Sequence, residues 1–280
     1  MIFHLYIMII ASRKEYNMIL ELTDDGKVPV YFISTNNNKM NELKTFFDLC
    51  TNIELRSLPD LPAKIPEIDE PYTTFDMNAK HKAFTGLREI KRLTGKRVNV
   101  IADDSGLTIN ALERYPGVIT KRFLPNSVKD LIKDLSPEEA AKVRRDVLMW
   151  FMDMYGRIRP SSETRSKKAH YDCAVHMIIP MPSDNVYDLF AKGTMTGKIV
   201  ETLDDCRGNN GFTFDQMFIP SIFDDVFLPD VLQKKTLAEL STIEKLRLSH
   251  RGKALVNLME KLTKQDPKLG FKFYPEKLMQ

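Results

Sequence analysis

The stretch PVYFISTNNNKMNELKTFFDLC, residues 29–50, passes from an unbroken apolar run into a segment of helical periodicity, and that switch limits the chain to few architectures. PVYFIS (29–34) reads as a buried strand. Met40, Leu43, Phe46, Phe47 and Cys50 then recur at the spacing of one helix face. The pattern returns in TTFDMNAKHKAFTGLREIKRL (73–93), a second helix, and VNVIA (98–102), a second apolar strand, with LTINAL (107–112) extended after Gly106. SPEEAAKVRRDVLMWFMDMYG (136–156) opens with Ser136, Pro137 and Glu139 placed as a capped helix start, and its Met149, Trp150, Met152 and Met154 read as core filling. AHYDCAVHMIIP (169–180) and VYDLFAKGTMTGKIV (186–200) read as paired strands, and 237–262 as two closing helical segments. Strand–helix alternation followed by hairpin strands predicts an α/β class: a two-lobed fold around a long mixed β-sheet with flanking helices.

One junction raises an electrostatic question. VNVIADDSG (98–106) reads as an apolar strand that stops at two adjacent carboxylates, Asp103 and Asp104. Neighbouring like charges are costly unless cationic groups accompany them. On an extended strand the two side chains point to opposite faces, so one is expected to hold a structural bond while the other faces a site.

Bulk composition excludes several classes. The 41 basic and 38 acidic side chains give a net charge of only +3, without the basic excess of a dedicated nucleic-acid surface. The three cysteines, Cys50, Cys173 and Cys206, are far apart and outside any CxxC spacing, which reads as reduced thiols in a cytoplasmic setting. The apolar start MIFHLYIMIIASRK is too short to span a bilayer and carries its basic residues after the apolar run, so it reads as an extra strand or a disordered extension, with a signal peptide or organelle leader as the lesser alternative; no membrane partner is expected.

Four segments carry chemistry. STNNNK (34–39) joins strand to helix, where backbone N–H groups and the helix dipole meet anions, with Lys39 adding a mobile charge; ordinary helix capping explains the same residue types. The acidic pair, with Glu67, Asp69 and Glu70 of PEIDEP upstream, offers the hard oxygens that suit Mg²⁺. NNGFTFDQMF (209–218) sets Phe212, Phe214 and Asp215 together after a glycine, as rings that stack a purine beside a carboxylate would be; a buried aromatic pair is the alternative. EKLRLSHRGKA (244–254) places Lys245, Ser249, His250 and Arg251 at a helix start.

Taken in order, STNNNK, EPYTTFDMNA, ADDSGLTINALERYPGVITKRFL, GFTFDQMF and KLRLSHR resemble the inosine/xanthosine triphosphate pyrophosphatase family, over about residues 28–264. The resemblance implies Mg²⁺-dependent hydrolysis, with Mn²⁺ as a substitute, of ITP, dITP and XTP to the monophosphate and pyrophosphate, with the active site in a cleft between the lobes. It implies that Ser34, Thr35, Asn36, Lys39, Lys82 and Ser105 meet the triphosphate, and that Asp104 binds the metal or orients the attacking water. Glu67 or Glu70 would be its acidic partner. Phe212 would stack on the base, with Phe214 also in the substrate site and Asp215, Lys245, Ser249, His250 and Arg251 around the base edge. It also implies a cytoplasmic homodimer. Residues 1–27 and 265–280 fall outside it, as an N-terminal extension and a C-terminal tail. Thr35 and Thr213 stand where the family has glycine, and Gln216 where it has proline, which leaves open an altered base preference or a non-catalytic nucleotide-binding role.

Overall fold

The computed structural model describes residues 22–181, 185–221 and 234–279, so the N-terminal apolar stretch lies outside the described residues. Its strands are β1 (Val28–Phe32), β2 (Ile53–Arg56), β3 (Asn99–Ile109), β4 (Lys168–Pro180), β5 (Val186–Ile199) and β6 (Phe218–Pro220). The α-helices are α1 (Asn37–Cys50), α2 (Phe75–Thr94), α3 (Asn126–Ile132), α4 (Pro137–Ile158), α5 (Thr242–Leu248), α6 (His250–Gln265) and α7 (Glu276–Met279). One six-stranded sheet runs in the order β2-β1-β3-β4-β5-β6. It is mixed: β1 pairs in parallel with β2 and β3, whereas β5 and β6 are antiparallel. The α/β class with a mixed sheet is therefore what the chain adopts.

Two compact units share these strands. The first comprises the described residues up to 104, with 174–192 and those from 254 on; the second comprises 105–173 and the described residues of 193–253. In the first, α2 lays Ala83, Leu87 and Ile90 onto Ile33, Val100, Ala102 and Ile178 of the sheet. Gly86 permits this approach, because a Cβ there would sit 2.6 Å from Ile33 side-chain atoms. The segment after residue 264 belongs to this unit: Phe273 bridges Thr51 and packs on the Phe46 ring, and the Tyr274 N–H donates to the Cys50 carbonyl. In the second unit, α4 packs Leu148 and Met152 among Leu107, Ile109, Phe123, Phe214 and Phe218. The capping box of α4 forms as expected, with Ser136 and Glu139 exchanging bonds.

Two expectations need correction. The strand does not end at the acidic pair: β3 continues through Asp103, Asp104 and Ser105 to Ile109, with both carboxylates buried. Their charges are met by lysines and an amide, so the ladder can pass through them. Trp150 is not core; it is 56% exposed. Leu148 and Met152 define the inward face of α4, and a residue two positions from each points the other way at 100° per residue.

The turn after β3 is strained. Glu113 (φ 50°) and Arg114 (φ 72°) both lie in the left-handed region, which non-glycine residues enter at a cost of about 1–2 kcal/mol each. Arg114→Gly removes one such penalty while adding unfolded-state entropy, so a net gain of roughly 0.5–1 kcal/mol is expected. A higher urea midpoint with an unchanged slope would register it.

Candidate active site

In the first unit, β1 delivers the chain to the STNNNK turn. Asn36 caps α1 by accepting from the Lys39 backbone N–H at 3.1 Å, and Ser34 Oγ accepts from the Asn36 N–H at 3.2 Å. Thr35 is exposed and its φ is negative, so the missing glycine does not strain this turn. The Lys39 side chain crosses to β3, where its ammonium lies 3.0 Å from Asp103 Oδ1.

The acidic segment before α2 is laid along that helix by a series of contacts. Asn78 donates to the Tyr72 carbonyl (3.1 Å) and accepts from the Tyr72 N–H (2.9 Å). The Tyr72 ring meets His81 edge-on, and Asp69 sits 3.5 Å from the His81 imidazole. Glu70 Oε1 reaches 2.6 Å from the Lys82 ammonium. Glu67 remains exposed. The two acidic candidates left open by sequence are thus placed differently, and Glu70 is the one beside Lys82.

Asp104 completes the group. Asn78 Nδ2 donates to its Oδ2 at 3.0 Å, and the Lys82 ammonium is 3.9 Å from its Oδ1. Burial, reinforced by the charge of Glu70, pushes the Asp104 carboxyl up to about 6 against the opposing pull of Lys82, Lys39 and Asn78. Burial works to lower Lys82, but Asp104, Asp103 and Glu70 outweigh it and hold the ammonium above its ordinary range. With all groups ionised, two ammoniums against three carboxylates leave a net charge of −1. Such a set binds a polyanion well only with further positive charge, and Glu70 and Asp104 are the hard oxygen donors that Mg²⁺ takes alongside water and phosphate. Among the described residues no three His, Cys, Asp or Glu side chains converge as a complete metal cage.

The second unit holds the other predicted residues. Asp215 is almost fully buried; its Oδ2 accepts from the Lys245 ammonium (2.9 Å) and the Phe212 N–H (3.0 Å), and its Oδ1 from the Tyr171 hydroxyl (3.2 Å). Lys245 also donates to the Asn210 carbonyl at 2.8 Å. This pair therefore shapes the 209–218 turn from beneath. Phe212 is half-buried, with the Arg251 guanidinium 5.2 Å from its ring centre. Arg251 also donates to Ser105 Oγ at 2.9 Å. Ser249 ends α5, and its Oγ accepts from the Gly252 N–H at 3.1 Å, starting α6. His250 stacks on Tyr171 at 4.8 Å with the rings nearly parallel. Phe214, grouped with the base contacts on sequence, packs instead edge-on to Phe123 in the core. A 3₁₀ turn begins at Asp215, immediately after it.

Sequence reading passed over three residues that hold this arrangement. Tyr171 serves both Asp215 and His250. Gly211 (φ 97°) and Gly252 fill places where a Cβ would stand 2.1 Å from the Lys245 ammonium and 1.7 Å from the Leu246 carbonyl oxygen. Glycine next to an aromatic or basic motif was the available signal for the last two; Tyr171 acts at long range and has none.

A sequence profile described as the Ham1 family matches residues 30–261. The chain is 31% identical over 234 residues to a dITP/XTP pyrophosphatase of Bacillus cereus, covering 83% of this chain and 94% of that protein. It is 31% identical over 225 residues to a dITP/XTP pyrophosphatase of Oceanobacillus iheyensis, covering 80% and 92%. The solved structure of a HAM1 protein from Coxiella burnetii superposes with a TM-score of 0.60 at 26% identity, covering 84% of this chain and 98% of that one. The profile spans most of the chain, and the fold and the ordered motifs agree with it: this protein belongs to the Ham1 family.

Proposed function

We propose that the chain is an Mg²⁺-dependent nucleoside triphosphate pyrophosphatase that hydrolyses ITP, dITP and XTP to the monophosphate and pyrophosphate. The observation that carries this reading is the buried group in which Lys39 and Lys82 are held among Asp103, Asp104 and Glu70. The names of the Bacillus and Oceanobacillus relatives support the substrate class.

In this reading Lys39 and Lys82 move from their carboxylates onto phosphate oxygens, with Ser34, Thr35, Asn36 and Ser105 supplying further donors. Glu70 and Asp104 would hold Mg²⁺, which when bound neutralises charge on the phosphate oxygens. Asp104 orients a water whose oxygen bonds to the α-phosphorus. The bond from that phosphorus to the α–β bridging oxygen breaks, pyrophosphate leaves, and the water proton passes to the carboxylate.

The base is assigned to the second unit, with Phe212 stacking and His250 and Arg251 donating to the 6-oxo group of hypoxanthine or xanthine. Adenine carries an amino donor at that position, and each buried donor left unmet costs about 1–3 kcal/mol, tenfold or more in affinity. Asp215 and Lys245 act by fixing the turn that carries Phe212. By the same family analogy the enzyme works as a cytoplasmic homodimer; no described helix is long and apolar enough to cross a membrane.

Rates on ITP, XTP, GTP, ATP, UTP and dTTP, with Mg²⁺ and with chelator, test the assignment. ITP or XTP is expected to turn over at least tenfold faster than ATP. Fastest release from UTP or dTTP would establish instead the altered base preference that Thr213 and Gln216 allow, and no release from any triphosphate would establish a binding role.

A further inference from the structure

Helix α2 carries Asn78 and Lys82 on one flank, and a second set of charged residues on the other. Asp76 and Lys80 are one turn apart, and at 100° per residue they lie about 200° around the helix from Asn78 and Lys82. Between the flanks runs the buried strip Ala79, Ala83, Gly86 and Leu87. Facing the second flank is His176 of β4, whose side chain is 3% exposed. Its Nε2 lies 2.7 Å from Asp76 Oδ1 and its Nδ1 2.7 Å from Asp188 Oδ1. Lys80 closes the network, its ammonium 2.9 Å from Asp188 Oδ2.

Each ring nitrogen therefore faces a carboxylate oxygen, and the ring ties Asp76 of α2 to Asp188 across the sheet. Among the described residues, the charged groups against the ring are Asp76 and Lys80 from α2 and Asp188 from β5. Phe190 covers the ring at 5.0 Å, and Lys261 of α6 lies over the Phe190 face. Hydrogen bonds from Lys80 and His176 hold the Asp188 carboxyl below its ordinary range even though burial pushes it up. A side chain at position 176 unable to bond both carboxylates would cut the tie between the first turn of α2 and the sheet.

We propose that His176 is a positioning residue: by pinning Asp76 and Lys80 on one flank of α2, it sets where Asn78 and Lys82 stand on the other, and so the affinity of the site for a triphosphate chain. The proposal rests on the assignment of Lys82 to phosphate.

The test is calorimetric binding of inorganic tripolyphosphate with Mg²⁺ to the full chain, a readout that needs neither base recognition nor turnover. The variants are Asp76→Asn, whose side chain is half exposed, His176→Gln, Lys82→Met, and each of the first two combined with Lys82→Met. Asp76→Asn and His176→Gln are each expected to weaken binding about tenfold, and Asp76→Glu to restore most of it. In the Lys82→Met background neither is expected to weaken binding further, since coupled residues are non-additive. Binding as tight as the parent in Asp76→Asn would overturn the proposal, as would losses that multiply in full with Lys82→Met. Should His176→Gln fail to fold, the Asp76 cycle decides alone. A parent that binds tripolyphosphate through this coupling but hydrolyses no inosine nucleotide would sink the function and leave the positioning role standing. A parent that binds no tripolyphosphate overturns both.

Discussion

Asp104→Asn is expected to abolish pyrophosphate release and, at the same time, to make the protein harder to unfold at neutral pH. The native carboxyl titrates at about 6 against an ordinary value of 3.8, with burial as the main cause. A group raised in this way contributes its full stability below about 3.8 and loses it as pH rises through about 6. A rise of that size, at about 1.36 kcal/mol for each pH unit, places the cost of the ionised side chain at about 3 kcal/mol by pH 7.5. Little of this is discounted for screening, because the side chain is only 5% exposed. Asparagine has the shape of the protonated acid and can still accept from Asn78. In chelator, the variant should therefore unfold at higher urea than the parent at pH 7.5, with the margin shrinking to about a third of that at pH 4.5. Turnover of ITP should fall by at least about 10²-fold, the scale of a lost general base. A variant no more stable at pH 7.5, or one retaining a tenth of parent activity, would contradict the role given to Asp104.

The fold was readable wherever local rules and burial agree. The period of Met40, Leu43, Phe46, Phe47 and Cys50, the Asn36 cap and the Ser136–Glu139 capping box all mark helices where helices occur. The course of β3 was not readable, because a strand passes through two carboxylates only when partners from 26 and 64 positions away in the chain meet them. No local pattern shows those partners. Trp150 misled for a related reason: hydrophobicity says what a residue tolerates, while helical phase decides where it points. At the candidate site, the residue types pointed to phosphate and base chemistry, but not to the pairing of Lys39 with Asp103 and Lys82 with Glu70, nor to the core position of Phe214. Aromatic residues two positions apart on an irregular turn need not share an environment, and only the turn geometry says which one the core takes.

Gly211→Ala should be among the most damaging single-methyl changes in the chain. The added Cβ would stand 2.1 Å from the Lys245 ammonium and 2.2 Å from Asp215 Oδ2, at a φ of 97°. Those two groups form an ion pair with side chains only 4% and 2% exposed, so neither can retreat into water. Separating a buried pair of this kind costs about 3–5 kcal/mol, and the Phe212 N–H and Asn210 carbonyl that share the pair lose their partners with it. Lys245→Met alone should cost a similar amount, because it leaves Asp215 buried with only neutral donors. Replacing both, as Lys245→Met with Asp215→Leu, should recover much of that loss, since well-packed apolar pairs often match buried ion pairs. In that double background no ion pair is left to separate, so Gly211→Ala should cost clearly less than in the parent: the backbone penalty of roughly 1–2 kcal/mol together with apolar repacking around the new Cβ. Urea midpoints for the four chains measure this difference directly. An equal cost of Gly211→Ala in both backgrounds would mean that the glycine serves the backbone alone, and that the ion pair does not depend on it for room.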